Sequence, residues 1–215
     1  MPTTFPRFAA LALSSFVLTG CLNLKRVTDP TRFYVLSALS AGTPATAGSP
    51  VDLAVGLGQV HIPAYLLDRR IVVLHGTNEI NYSEYHRWAE RLDKGLQRVL
   101  GANLSALLPT DRVMLSAWQR GEVRAEVYLA VERFEFDDRG RIILDVHWRI
   151  TSPGGEKTWH ADHYHITRQG PAFRVDPMGA VGMLSQALAD LSRQIAAAVQ
   201  SVSASQRESK PAPSP

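Results

Sequence analysis

Two periods of apolar residues run along this chain. Val123, Ala125, Val127, Leu129 and Val131 alternate with Arg124, Glu126, Tyr128 and Glu132. After an Asp138-Arg139-Gly140 turn, Ile142, Leu144, Val146, Trp148 and Ile150 alternate with Arg141, Asp145, His147 and Arg149. Ser152-Pro153-Gly154-Gly155 turns the chain again, and Thr158 to Ile166 follows. A period of two marks strands with one buried face, and turn chemistry between such runs predicts an antiparallel meander of three strands. Upstream, Phe33-Tyr34-Val35-Leu36, Val51 to Leu57, Ile71 to Leu74, Glu79 to Tyr82 and Val113 to Trp118 are further predicted strands. Ile62-Pro63 ends the second of these, and Tyr65 to Arg70 forms a turn.

A period near 3.6 appears twice. Trp88, Leu92, Leu96, Val99, Leu100, Asn103 and Leu107 form one stripe, stopped by Pro109. Val181, Leu184, Leu188, Leu191, Ile195 and Val199 form the other, opened by Asp176-Pro177 as cap and first helical residue. Each helix has a single apolar stripe, so each must cover a sheet. The predicted fold is α/β (α+β): a single mostly antiparallel or mixed sheet with two long amphipathic helices packed on it.

The first twenty residues belong to neither pattern. They hold no acidic residue and one basic residue, Arg7, and Phe8 to Leu18 is apolar apart from Ser14 and Ser15. That length suits the core of a signal peptide and is too short to span a bilayer. Leu18-Thr19-Gly20-Cys21 resembles a bacterial lipobox, and Cys21 is the only cysteine. Lipidation of Cys21, with residues 1–20 removed, is therefore expected. Several acyl chains at roughly 0.8 kcal/mol per buried CH₂ hold a protein firmly to a membrane. By analogy with enteric lipoproteins, Leu22 after the cysteine favours the outer membrane. The expected organisation is a leader (1–20), a lipid-anchored tether (21–32), one domain (33–200) and a disordered Ser/Pro-rich tail (201–215).

Composition narrows the function. The 215 residues carry a net charge of +3, with Lys/Arg runs no longer than pairs, which disfavours nucleic acid as a partner. One cysteine leaves no intrachain disulfide and no cysteine-rich zinc site. No Gly-x-Ser-x-Gly or P-loop occurs, and Val55-Gly56-Leu57-Gly58 begins a glycine pattern that His61 breaks. Glu132, Glu135, Asp137 and Asp138 gather near a hairpin tip, where a solvated turn is the ordinary reading. The one constellation with metal-ligand chemistry is His160, Asp162, His163 and His165. On a strand, His163 and His165 face one way and His160 and Asp162 the other, and His147 joins the first pair if register allows. Tyr65 and Leu66, beside Arg69 in a turn, have the composition of a protein contact; Trp88 is expected to pack inward as the start of the first helix.

The residues Val60-His61-Ile62-Pro63-Ala64-Tyr65-Leu66-Leu67-Asp68-Arg69-Arg70, followed by Asn81 and His86-Arg87-Trp88-Ala89-Glu90-Arg91-Leu92, together with the lipobox, resemble the PqiC-like ABC-type transport auxiliary lipoproteins. The resemblance covers roughly residues 33–200. It implies a non-enzymatic outer-membrane lipoprotein with no cofactor beyond the covalent lipid. Such a protein docks the outer end of an MCE-domain tunnel protein as a homo-oligomer and supports membrane integrity. Pro63, Tyr65, Leu66, Asp68, Arg69 and Trp88 match the family pattern as candidates for fold or for partner contact. A lipoprotein that binds an apolar ligand, and a metal-dependent enzyme using the 160–165 histidines, are the alternatives from other classes.

Overall fold

The meander anchors the architecture. In the computed structural model, which describes residues 28–40, 53–110 and 112–208, the three long strands are Ala125–Asp137, Arg141–Thr151 and Thr158–Gln169 (β6, β7 and β8). Both pairings are antiparallel and nearly continuous. Val127, Leu129, Leu144, Val146, Trp148, Ile150 and Tyr164 are buried on one face. The β6–β7 turn is held by Asp137, whose Oδ1 accepts the backbone N–H groups of Arg139 (2.9 Å) and Arg141 (2.7 Å) while Oδ2 accepts the Arg141 side chain. Gly140 closes it at φ +81°, with Ala172 N and Gly170 O 2.7 Å from where a Cβ would stand, so no other residue fits there. Asp137 and Glu135 are buried, against the expectation of a solvated hairpin tip. Backbone donors and Arg partners offset the cost of taking these carboxylates out of water.

Five shorter strands complete a mixed sheet: Arg32–Tyr34 (β1), Val55–His61 (β2), Arg70–His75 (β3), Glu79–Trp88 (β4) and Val113–Leu115 (β5). The order β1-β4-β3-β6-β2-β5 continues through β7 and β8 on the other edge of β6. β2 lies parallel along residues 125–130 of β6, and β3 lies parallel to its far end at Phe136 and Asp137. The two therefore share one edge of β6. Between them the chain steps aside through a 3₁₀ turn, Ala64–Leu66, level with a β6 irregularity between Val131 and Arg133. Four of the seven described pairings are parallel, but the antiparallel ladders are the long ones, so the sheet is mixed, as expected.

The first helix begins later than predicted. β4 runs through Trp88 because Tyr85 to Trp88 is flanked by β1 (Tyr34 opposite Trp88) and by β3 (Arg70 opposite Arg87). Helix α1 is Leu92–Leu107. Trp88 is buried, but from a strand; its four-residue distance from Leu92 imitates the helical stripe.

Helix α2 is Pro177–Glu208, opened by Asp176, whose Oδ1 accepts the Gly179 N–H at 2.9 Å. At 1.5 Å per residue it is about 48 Å long. It continues through residues 201–208, which were expected in the tail; 209–215 lie outside the described residues, as do Cys21 and residues 41–52. Both helices join the core through the stripes predicted for them, α1 against β2 and β5, α2 against α1 and the meander. The segment after β1 crosses both helices. Leu39 N–H donates to Asn103 Oδ1 (2.7 Å), Ser37 N–H to Ser185 Oγ (3.1 Å), and Arg98 to Leu36 O. Asn103 then donates to Ser192 Oγ at 2.9 Å, so one buried amide ties the N-terminal segment to both helices.

Candidate functional site

The family-pattern residues gather at the corner between β2 and β3. Pro63 O accepts the Leu66 N–H, and Leu66 is buried under the turn. Leu67, one residue on, is 46% exposed, so the outward aliphatic residue beside Arg69 is Leu67 rather than Leu66. The 3₁₀ turn decides this, because it directs successive side chains about a third of a turn apart. Tyr65 is half-buried and donates its hydroxyl to Glu135 Oε2 at 2.9 Å, while Tyr82 donates to Tyr65 O at 3.1 Å. Arg133 completes the Glu135 carboxylate at 2.7 Å. Burial, then the Glu135 charge and its hydrogen bond, push the Tyr65 hydroxyl pKa upward, so it stays a donor.

Asp68 pairs with Arg70 at 2.6 Å and accepts its backbone N–H at 2.8 Å; these bonds hold its pKa at about 2. The Arg70 guanidinium lies 4.4 Å from the Tyr82 ring centroid. Arg69 reaches the other way, to Trp88 O (3.2 Å) and Ala89 O, and Trp88 N–H returns to Arg69 O. The Trp88 ring is 6.3 Å from that of Phe134 in the core. All six residues therefore meet in one place, and the bonds of Tyr65, Asp68, Arg69 and Trp88 are internal to the corner.

The helix-free face of the meander carries the histidines. Register sets His163 opposite His147 and His165 opposite Asp145. Asp145 Oδ1 is 2.5 Å from His163 Nε2 and Oδ2 is 2.9 Å from His165 Nδ1; the His147 and His163 rings stack at 4.2 Å and 11°. His160 and Asp162 lie opposite Ile150 and Trp148, on the other face, so the four residues 160, 162, 163 and 165 do not form one site. Burial raises the Asp145 pKa, but hydrogen bonds from His163 and His165 outweigh it and the net shift is downward. Across the sheet, His61, Ala130, His147 and His163 stand in one row. The small Ala130 leaves a groove of about 460 Å³ lined also by Tyr128 and Arg149. Asp145 is the member that residue-type scanning missed; two positions before His147 on a predicted strand, it carried the signal of a shared face.

The geometry holds a structural corner and a polar face. The family described as ABC-type transport auxiliary lipoprotein component matches residues 34–196. The intermembrane transport lipoprotein PqiC of Escherichia coli (strain K12) is 27% identical over 124 residues, 57% of this chain and 64% of its own length. The alignment thus spans just under two thirds of that relative. Its namesake in Shigella flexneri matches to the same extent. A solved structure from Xanthomonas campestris superposes with a TM-score of 0.64 at 15% identity, covering 83% of this chain and 99% of its own. A second, of an uncharacterized protein, gives 0.62 at 20%, covering 78% and 97%. These two share the fold. With three quarters of its length inside the family match, the chain belongs to the ABC-type transport auxiliary lipoproteins.

Proposed function

We propose that the protein is a non-enzymatic, lipid-anchored subunit of an envelope transport system. Cys21 holds it to the periplasmic face of the outer membrane, where it docks an MCE-domain tunnel protein as a homo-oligomer and supports membrane integrity. The observation that carries this reading is the family match over residues 34–196. The Leu18-Thr19-Gly20-Cys21 lipobox and the likeness to an intermembrane transport lipoprotein agree with it. Among the described residues no helix is long and apolar enough to cross a membrane. The polar groups of the corner around Tyr65 bond within it, and Leu67, which lies between the family-pattern residues without belonging to them, is the exposed apolar side chain there that would meet a partner.

Crosslinking in intact envelopes with the tagged full-length chain, followed by mass spectrometry, tests the proposal. Recovery of an MCE-domain protein and its permease is expected. Recovery of the chain alone would overturn the docking role.

A further inference from the structure

We propose that Asp145, His147, His163 and His165 form a binding site for one divalent transition-metal ion, zinc or copper(II), on the helix-free face of β7 and β8. The argument begins with register. Asp145 and His147 are two apart on β7, His163 and His165 two apart on β8, and each pair stands directly opposite the other. Directly opposed Cβ atoms are about 5 Å apart and same-face neighbours along a strand about 7 Å, so four side chains converge over one small quadrilateral. One ligand atom from each of Asp145, His147 and His163 already lies within 4.8 Å of the others. Bonds of about 2.0–2.1 Å to zinc bring such atoms somewhat closer together, a movement within reach of the half-exposed His163 and His165 side chains around the more enclosed Asp145.

Three imidazoles and one carboxylate suit zinc or copper, whereas magnesium and calcium demand oxygen ligands. Asp145 brings a carboxylate to the centre of the cluster, and at 19% side-chain exposure it is the most enclosed of the hydrogen-bonded three. The adjoining groove, with Arg149 and His61 at its edges, leaves room for water or an anion beside the ion. The consequence for the fold is a staple. Among the described residues β8 pairs only with β7, and the ion would bridge the two strands midway along their ladder.

The test uses full-length detergent-purified protein without a histidine tag, stripped with EDTA and titrated calorimetrically with zinc chloride or copper(II) chloride. One ion per chain is expected, with a raised Tm. Magnesium should give neither. His163→Ala and His147→Ala should each weaken binding by more than about tenfold, the lower end of what even outer-shell losses cause. His160→Ala, on the opposite face, should bind as the unaltered protein does. Should a variant fail to fold, the copper(II) electron paramagnetic resonance spectrum of the unaltered chain decides, with coupling to several imidazole nitrogens expected. No stoichiometric binding of either metal, binding indifferent to His147 and His163, or a spectrum without nitrogen coupling would each overturn the site.

Discussion

Asp137 accepts two backbone N–H groups and a guanidinium from within a four-residue span, and so fixes where β6 ends and β7 begins. Burial alone would raise its pKa; the donors from Arg141 and Arg139 outweigh that and lower it. A depressed folded pKa contributes stability that is fully present above the unfolded value of about 3.9 and is lost as pH falls through the folded value below it. Asp137→Asn removes this contribution and sets an amide N–H₂ against an arginine. At neutral pH the variant is expected to be about 1.5–3 kcal/mol less stable. Urea midpoints measured from pH 7 downward should converge with those of the unaltered protein below about pH 4; a gap that stays constant would refute the linkage. This residue also marks a limit of reading from sequence. Asp137, Asp138 and the turn glycine read as a solvated tip, because the donors that permit burial are backbone groups whose aim depends on the turn's three-dimensional path. The same holds for Leu66 and Leu67, which have one side-chain chemistry and opposite fates.

Elements were legible where periodicity is unbroken by a neighbour's demands. The meander strands, both helical stripes and the Asp176 cap were all visible in the residue pattern. The β4–α1 boundary was not: Trp88 and Leu92 are four apart, and only the flanking β1 and β3 show that Trp88 belongs to a strand. The far end of α2 was hidden for a different reason. Ser201 to Glu208 has few apolar residues, yet Val202 is packed against the core and Ser203 Oγ bonds back to Val199 O at 2.7 Å, so the helix propagates beyond its stripe. Residues 204–208 are exposed. Truncation after Ser203 is expected to change unfolding free energy by less than about 0.5 kcal/mol. Truncation before Val199, which is fully buried, should cost about 1.5–3 kcal/mol. Thermal or urea melts of the two truncations separate these outcomes.

For the whole molecule, class was readable and strand order was not. Period-two runs report which face is buried; they carry no information on which distant strand lies alongside. The parallel pairings of β2 and β3 with β6 are of that kind. Family membership was carried by the residues that build the β2–β3 corner, whose bonds are now internal to the fold, so their pattern reports architecture before it reports any partner. The attachment proposed at Cys21 belongs to this scale as well. Cys21→Ser is expected to abolish incorporation of a radiolabelled fatty acid and to release the chain from the membrane fraction, while retention of both label and membrane association would refute lipidation at that residue.

β6 receives β7 on one edge and both β2 and β3 on the other. Its pairing with β7 and then β8 closes through short turns, whereas Val55 must wait for Ala125 and Val73 for Phe136. Loop closure over such separations slows folding, and contact-rich local hairpins form first. During synthesis, β2 and β3 therefore emerge well before β6, the strand that brings them into one sheet, exists. The β3–β4 hairpin, with β1 beside it, and the β2–β5 pair can form early, but these two pieces are joined into one sheet only when β6 has appeared as far as Asp137.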